Sequence, residues 1–293
     1  MIENFIKDFE YQTNVNLKKY NTYRVNCIAN YLIFPKNIDE LITILKYLKQ
    51  NNMEYLLLGN GSNVILVNDK YNIVIKLDRL NKIKINDNTI TVLAGYPLIK
   101  LAIESANLGL SGLEFAGGIP GLVGASVAMN AGAYLEDMSS VVKEVKIIDE
   151  NLKIKTLTNK ELEFSYRNSI FKKNRNYICI EVTLELKKDN PNKILDLMNN
   201  RKKRRLATQP LEYPSAGSVF RNPEGYYAGA LIEELGLKGY NINGAEISEK
   251  HANFIINKKN AKGSDIEELI NLVKDKVKDK YNIDLILEQE IKR

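Results

Sequence analysis

Apolar and polar positions change rhythm several times along the 293-residue chain, and each change marks an element. Asn37-Ile38-Asp39-Glu40 has the form of a capping box, with Glu40 placed to reach back to the cap, and the LITILKYLKQ that follows has helical apolar spacing. The apolar run 55–58 predicts a short buried strand, broken by GNGSN (59–63) and resumed at 64–67; residues 73–75 and 89–92 predict further strands. Pro97 predicts the start of a helix running to about Leu108, with Gly109 just past its end. After the glycine-dense segment 117–132, strands are expected at 141–148, 154–157 and 177–186, so the middle third reads as strand-rich α+β. Lys187-Lys188-Asp189-Asn190-Pro191 is polar and turn-like, and a domain boundary is placed there, dividing the chain into 1–190 and 191–293. The second part predicts a helix from Pro191 ending in RKKRR (201–205) and a helix over 226–235. A second capping box at 264–267 opens a helix with apolar residues at 266, 269, 270, 273 and 277. An apolar strand over 283–291 closes the chain and has the option of returning to the first domain.

Composition narrows the chemistry. There is a single histidine, His251, and there are two cysteines, Cys27 and Cys179. Too few soft ligands remain for a multi-histidine or structural zinc site, so no metal is expected. A Ser-His-Asp or Cys-His enzyme would have to depend on His251 alone. Both cysteines lie in apolar, strand-like surroundings and read as buried free thiols. The net charge of +6 suits an anionic small molecule or nucleic acid and decides neither. No Walker-type phosphate loop, no signal-peptide core and no apolar run of membrane-spanning length is present, which points to a soluble cytoplasmic protein.

Several local patterns carry candidate chemistry. GNGSN (59–63) follows a buried strand as a dinucleotide fingerprint would, but position 64 is Val64 and a strand follows, so the Rossmann context fails. Either a plain glycine-asparagine turn or an anion nest of backbone N–H groups fits what is left. GGIPGLVGA (117–125) lets a ligand approach the backbone closely, and a short helix over 125–129 would aim its N-terminus at a phosphate; tight packing is the alternative. Arg167, within YRNS (166–169), is by default a solvated arginine. Ser218, within SAGSVF (215–220), lacks an acid–histidine pair and suits proton donation better than attack. Glu288 and Glu290 stand at strand spacing on one face. The run 201–205 lacks any nucleic-acid module beside it and reads as a solvated helix end.

Taken together, NTYRV (21–25), LLLGNGSNVIL (56–66), GLEFAGGIPGLVGASVAMNAGAY (112–134), SYRNSIF (165–171), QPLEYPSAGSVFRNP (209–223), HANFIIN (251–257) and LEQEI (287–291) resemble the UDP-N-acetylenolpyruvoylglucosamine reductase family over nearly the whole chain. The resemblance implies a fold of the PCMH or vanillyl-alcohol-oxidase type: an FAD-binding domain in two α+β parts, followed by a C-terminal α+β substrate domain. It implies NADPH-dependent, FAD-mediated reduction of UDP-N-acetylglucosamine enolpyruvate to UDP-N-acetylmuramate for peptidoglycan. The implied catalytic residues are Arg167, Ser218 and Glu290, with Glu288 as the fallback for the last. Implied FAD contacts are Asn60, Gly61, Ser62, Asn63, Gly118, Ile119, Gly124 and Ala125; Tyr166, Arg167 and Asn222 match substrate-side positions. The separation of about fifty residues between Arg167 and Ser218 resembles the subtype lacking an inserted tyrosine loop. With no histidine before His251, FAD is expected to be non-covalent. A monomer free of nucleic acid and membrane is expected. Asn26-Cys27 stands where the family usually has a glycine pair, and Leu122 and Ala125 replace a more usual Thr and Gly.

Overall fold

The computed structural model describes residues 2–293. The chain forms two compact units: one holds residues up to 12, 32–59 and 74–204, and the other holds 13–31, 60–73 and 205–293. Helices alternate with largely antiparallel sheets in an α+β arrangement, as the patterning implied.

The first unit is built on a five-stranded antiparallel sheet in the order Ile154–Thr158, Val142–Ile148, Ile178–Glu185, Thr89–Leu93, Ile83–Asn86. Thr89–Leu93 alternates between half-buried and buried positions, as a one-sided strand should, whereas central Ile178–Glu185 is buried at most positions. Helix Ile38–Gln50 is capped as its sequence predicts: Asn37 Oδ1 accepts from the Glu40 N–H at 2.8 Å. Glu40 reaches one residue past the cap, accepting from the Lys36 N–H at 2.8 Å. Its Leu41, Ile44, Leu45 and Leu48 face inward. Pro97 immediately precedes helix Leu98–Asn107, and Gly109 takes the left-handed conformation just beyond it. Strand Leu56–Leu58 pairs in parallel with residues 74–76 and delivers the chain to Gly59.

The second unit encloses its own core, including Tyr23, Ile65, Phe220, Leu231, Ile247 and Ile270. Helix Gly263–Tyr281 buries the expected face, Ile266, Leu269, Ile270, Val273 and Val277. It rests beside the antiparallel strands Asn241–Ile242, Ala245–Ile247 and Ile255–Asn257. Strand Glu290–Lys292 pairs in parallel with Val64–Leu66.

Four boundaries differ from the sequence reading. The last long helix starts at Gly263 rather than after a Ser264 cap, and its Asp265 carboxylate accepts from the Lys262 N–H at 2.7 Å. Packing sets that start: a Cβ on Gly263 would lie 1.9 Å from the Leu66 carbonyl oxygen. The helix expected over 226–235 begins at Ala228, whose N–H donates to Asn222 Oδ1 at 3.1 Å. The closing strand is laddered only over Glu290–Lys292; upstream, residues 283–289 contribute one isolated bridge, Leu287 with Phe220. The RKKRR run does not end its helix, which continues to Thr208.

Candidate active site

The two glycine-rich segments meet at Gly59 in the first unit. A Cβ there would lie 3.4 Å from the Ala125 Cβ and 3.9 Å from a Leu122 methyl, so the end of the strand runs against the start of helix Val123–Met129. Lys76 is almost wholly buried beside this turn, donates to the Gly59 carbonyl at 2.5 Å and lies 3.3 Å from Asp78. Burial depresses its pKa, with Asp78 opposing the shift. The helix end is less open to a phosphate than its sequence implied. Val123 N–H donates to the Tyr96 carbonyl and Gly124 N–H to the Ala94 carbonyl, each at 2.9 Å. Gly124 packs so closely that a Cβ would lie 2.6 Å from the Ala94 Cβ. Its missing side chain therefore serves helix-on-strand packing. Ala125 is exposed, and Gly118 and Ile119 are half-buried, leaving a surface of small groups.

In the second unit, Gly61 adopts φ +62°, and a Cβ would lie 2.4 Å from the Tyr20 carbonyl oxygen. Only glycine suits that combination of conformation and contact. Thr22, from the NTYRV segment, fixes the turn by donating to the Gly61 carbonyl through its N–H at 3.1 Å and its hydroxyl at 3.2 Å. Asn60 is exposed, and Ser62 and Asn63 are half-buried.

Arg167 occupies a two-residue turn closed by reciprocal Ser165–Asn168 backbone hydrogen bonds of 3.1 and 3.0 Å. Its own φ is +54°, an uncommon conformation for a side chain beyond Cβ. Three bonds tie this turn to the NAGAY segment and the end of the helix before it. Asn130 Nδ2 donates to the Ser165 carbonyl at 3.0 Å, Arg167 Nη2 donates to the Gly132 carbonyl at 2.6 Å, and Ser169 Oγ donates to the Ala128 carbonyl at 2.6 Å. The guanidinium carbon lies 5.2 Å from the Tyr166 ring centroid, and Tyr166 is itself half-exposed. Arginine and tyrosine thus form one braced, partly accessible patch able to grip a carboxylate.

Ser218 is half-buried in the second unit. The segment carrying both glutamates is held on two sides. Glu288 N–H donates to the Val219 carbonyl at 2.9 Å, Asn63 Nδ2 donates to the Glu288 carbonyl at 3.1 Å, and Glu290 N–H donates to the Asn63 carbonyl at 2.9 Å. The turn 60–63, the serine loop and the two carboxylates are therefore brought together. Gln289 is buried, and the chain bends at Glu288 and Gln289 before the strand begins at Glu290, so the strand alternation expected of the two glutamates is interrupted between them. Glu288 is half-buried, and Glu290 is more exposed and ion-paired with Lys292. Asn222, exposed at its surface, spends its side-chain oxygen on the helix start at Ala228.

Sequence reasoning passed over the residues that hold these groups. Asn253 Oδ1 accepts from the Phe220 N–H at 2.9 Å, its Nδ2 donates to the Phe220 carbonyl at 2.8 Å, and its own carbonyl accepts from Val219 N–H at 2.9 Å. An isolated amide in an apolar run, as in HANFIIN, was the available signal. His251 packs on Phe254 and accepts from the Asn253 N–H at Nδ1, while burial lowers its pKa. Arg201, the first of the basic run, is occupied by Glu136 at 2.6 Å and lies over the Tyr134 ring at 4.7 Å. Among the described residues, no group of three or more His, Cys, Asp or Glu is placed to hold a metal ion, and no helix is long and apolar enough to cross a membrane.

A family model described as an FAD binding domain matches residues 29–158, and one described as UDP-N-acetylenolpyruvoylglucosamine reductase, C-terminal domain, matches residues 209–292. The UDP-N-acetylenolpyruvoylglucosamine reductase of Anoxybacillus flavithermus is 48% identical over 281 residues, covering 95% of this chain and 93% of its own. That of Clostridium novyi is 40% identical over 291 residues, covering 99% and 94%. The crystal structure of UDP-N-acetylenolpyruvylglucosamine reductase from Thermus caldophilus aligns with a TM-score of 0.81 at 33% identity, covering 97% of this chain and 99% of that one.

Proposed function

The chain belongs to the UDP-N-acetylenolpyruvoylglucosamine reductase family, and from that premise we propose that Arg167, Ser218 and Glu290 carry its catalysis. It is a flavin-dependent oxidoreductase with an α+β fold of PCMH type, and it reduces UDP-N-acetylglucosamine enolpyruvate to UDP-N-acetylmuramate in peptidoglycan precursor synthesis. Bound FAD supplies the hydride for the enolpyruvyl double bond, taken from NADPH. The residues present fit that cofactor in their accessibility: Asn60 and Ala125 are exposed, and Ser62, Asn63, Gly118 and Ile119 are half-buried, so their backbone and small polar groups can be reached by a ligand. Asn60, Gly61, Ser62, Asn63, Gly118, Ile119, Gly124 and Ala125 are assigned to hold it, within a cofactor domain of residues 1–190; residues 191–293 take the substrate.

Hydride addition to the terminal carbon of the enolpyruvyl group leaves negative charge on its second carbon and carboxylate. Arg167, always cationic, binds that carboxylate with Tyr166 beneath the guanidinium, and Asn222 contacts the substrate. Glu290 polarises the same group, and Ser218 Oγ passes a proton to the second carbon. Donors fixed in advance stabilise charge as it develops and need no reorganisation during reaction. The observation that supports this reading is the junction of Asn63, Glu288 and Val219, where hydrogen bonds link the turn 60–63 and the loop after Ser218 to the backbone of the segment that carries both glutamates. The protein is read as cytoplasmic and as a monomer, and light scattering of the purified chain tests the oligomeric state.

The experiment is an anaerobic two-step titration of Ser218→Ala. NADPH should bleach the yellow protein at the parent rate. Colour should return at least a hundredfold more slowly on adding UDP-N-acetylglucosamine enolpyruvate, since general-acid groups typically contribute about 10²–10⁴-fold. Full turnover by this variant removes Ser218 as proton donor.

A further inference from the structure

We infer that Gln289, the buried residue between the two glutamates, is the positioning residue that fixes Ser218 relative to the carboxylates. The inference rests on the reading of Ser218 as the proton donor. Gln289 is 3% exposed, and its amide has no unused capacity in the direction of the serine loop. Nε2 donates to the Ala216 carbonyl at 3.0 Å and to the Gly217 carbonyl at 3.1 Å, and Oε1 accepts from the Tyr23 hydroxyl at 3.0 Å. The Gly217 carbonyl belongs to the same planar peptide as the Ser218 N–H. Holding that oxygen therefore holds the peptide plane from which Ser218 departs. Immediately after Ser218, Asn253 grips Val219 and Phe220 through three further hydrogen bonds. The serine is a single half-buried residue clamped between two buried amides.

The far end of the clamp is equally fixed. Tyr23 is fully buried, and burial raises its pKa well above that of a free phenol, so its hydroxyl remains a donor throughout the neutral range. Its carbonyl accepts from Asn257 Nδ2 at 2.8 Å, and Asn257 Oδ1 accepts from the Ala261 N–H at 2.7 Å. Tension cannot be relieved by rotating Gln289 away, because that would strand the Tyr23 hydroxyl and the amide itself in an apolar core. Along the chain, Gln289 is bonded directly to Glu288 and Glu290. One side chain thus sets the depth of the carboxylate segment and the orientation of the serine peptide together.

An apolar side chain of similar volume would leave the Tyr23 hydroxyl and the Ala216 and Gly217 carbonyls without this partner, so the amide serves stability as well. What the amide adds beyond that is direction: two donors at a fixed angle, aimed at consecutive carbonyls.

The test uses the full FAD-loaded chain and follows both half-reactions by anaerobic stopped flow. Gln289→Met keeps the volume and loses the three hydrogen bonds. Flavin bleaching by NADPH should stay within twofold of the parent. Reoxidation by UDP-N-acetylglucosamine enolpyruvate should slow by about tenfold or more, since small displacements of reacting groups cost rates of this order. The solvent deuterium isotope effect on that step should grow as proton delivery becomes limiting. Tyr23→Phe retains the packing, removes one of the bonds and should slow the same step by a smaller factor. Reoxidation within twofold of the parent, or equal slowing of both half-reactions, overturns the positioning role. If Gln289→Met does not retain FAD, Tyr23→Phe decides by the same two criteria. Ser218→Ala run alongside separates the failures: a fast Ser218→Ala removes the proton-donor reading, whereas a slow one beside an unimpaired Gln289→Met removes only the positioning role.

Discussion

Replacing Gly61 by alanine tests the cofactor turn through two separable costs. The first is conformational. Gly61 sits at φ +62°, where an L-residue is penalised by roughly 1–2 kcal/mol. The second is steric. The new Cβ would lie 2.4 Å from the Tyr20 carbonyl oxygen and 2.6 Å from the Asn21 Cα, both backbone atoms that cannot swing aside. Forcing a methyl group into packed surroundings costs about 1–3 kcal/mol. Against these stands the unfolded-state gain of Gly→Ala, about 0.4–1 kcal/mol. The net expectation is a loss of about 1–4.6 kcal/mol. Gly225→Ala is the control, because Gly225 also has positive φ, at +74°, but nothing lies within 4 Å of its Cβ position. That variant carries only the conformational cost and should lose no more than about 1.6 kcal/mol.

Both variants should be unfolded in urea at one fixed excess of FAD, because bound ligand adds stability that depends on its concentration. FAD affinity should be titrated separately by flavin fluorescence. Gly61→Ala should show the larger fall in midpoint and weaker FAD binding, since the clash can be relieved only by moving the turn or the Tyr20–Asn21 backbone. Gly225→Ala should bind FAD as the parent does. Equal midpoints for the two variants would refute the close-contact argument. An unchanged FAD affinity in Gly61→Ala would refute the assignment of this turn to the cofactor.

Alkaline pH should destabilise the fold. Burial raises the Cys27 thiol from 9.0 to about 12, with Asp69 adding to the shift, and raises Cys179 further by burial alone. Burial also lifts Tyr71 from 10.0 to about 12. Each group keeps its proton when folded and loses it when unfolded, so its contribution is complete below the unfolded pKa and drains away as pH rises through the folded one. The urea midpoint should fall from about pH 9 upward, each thiol contributing up to ~1.4 kcal/mol per pH unit, and Cys179→Ala should flatten the slope. Lys76 opposes this with its single lowered pKa, and a flat midpoint from about pH 8 to 10.5 would show that the thiols are not protected. Asn253→Ala leaves the Phe220 N–H and carbonyl without their partner and should cost about 2–4 kcal/mol by urea denaturation. Lys76→Met removes the cation beside Asp78 and the donor to Gly59, and should lower stability by about 2–3 kcal/mol in the same assay.

Where an element is made by local forces, the sequence announced it. Asn37 caps its helix through its own side chain, and the 266–277 stripe faces inward because a helix with that spacing has no other face to bury. Where a boundary is made by distant packing, local patterning misplaced it. Ser264 has the right residue type for a cap, yet Gly263 is the one residue whose backbone can approach Leu66, and the helix starts accordingly. The segment 283–289 alternates like a strand because its alternate side chains are buried. Its backbone partners, however, come from residues 219–221 on one side and from Asn63 on the other, so no continuous ladder forms. Periodicity reports burial, and it cannot report whether one neighbour or two supplies the hydrogen bonds.

The same division runs through the site. Arg167, Ser218 and Glu290 are proposed from the motifs around them, since Arg167 taken alone reads as a solvated arginine. Gln289, Tyr23 and Asn253 were passed over, because an amide or a phenol in an apolar run signals a buried polar group without saying which partners it serves. Yet these are the residues whose polar atoms are most completely committed: Gln289 to Ala216, Gly217 and Tyr23, and Asn253 to both backbone groups of Phe220. A group that reacts needs accessibility and a partly unsatisfied side chain, whereas a group that positions needs burial and full satisfaction. The two demands leave opposite marks. Residue type and spacing reveal the first, and only the hydrogen-bond inventory of the folded interior reveals the second.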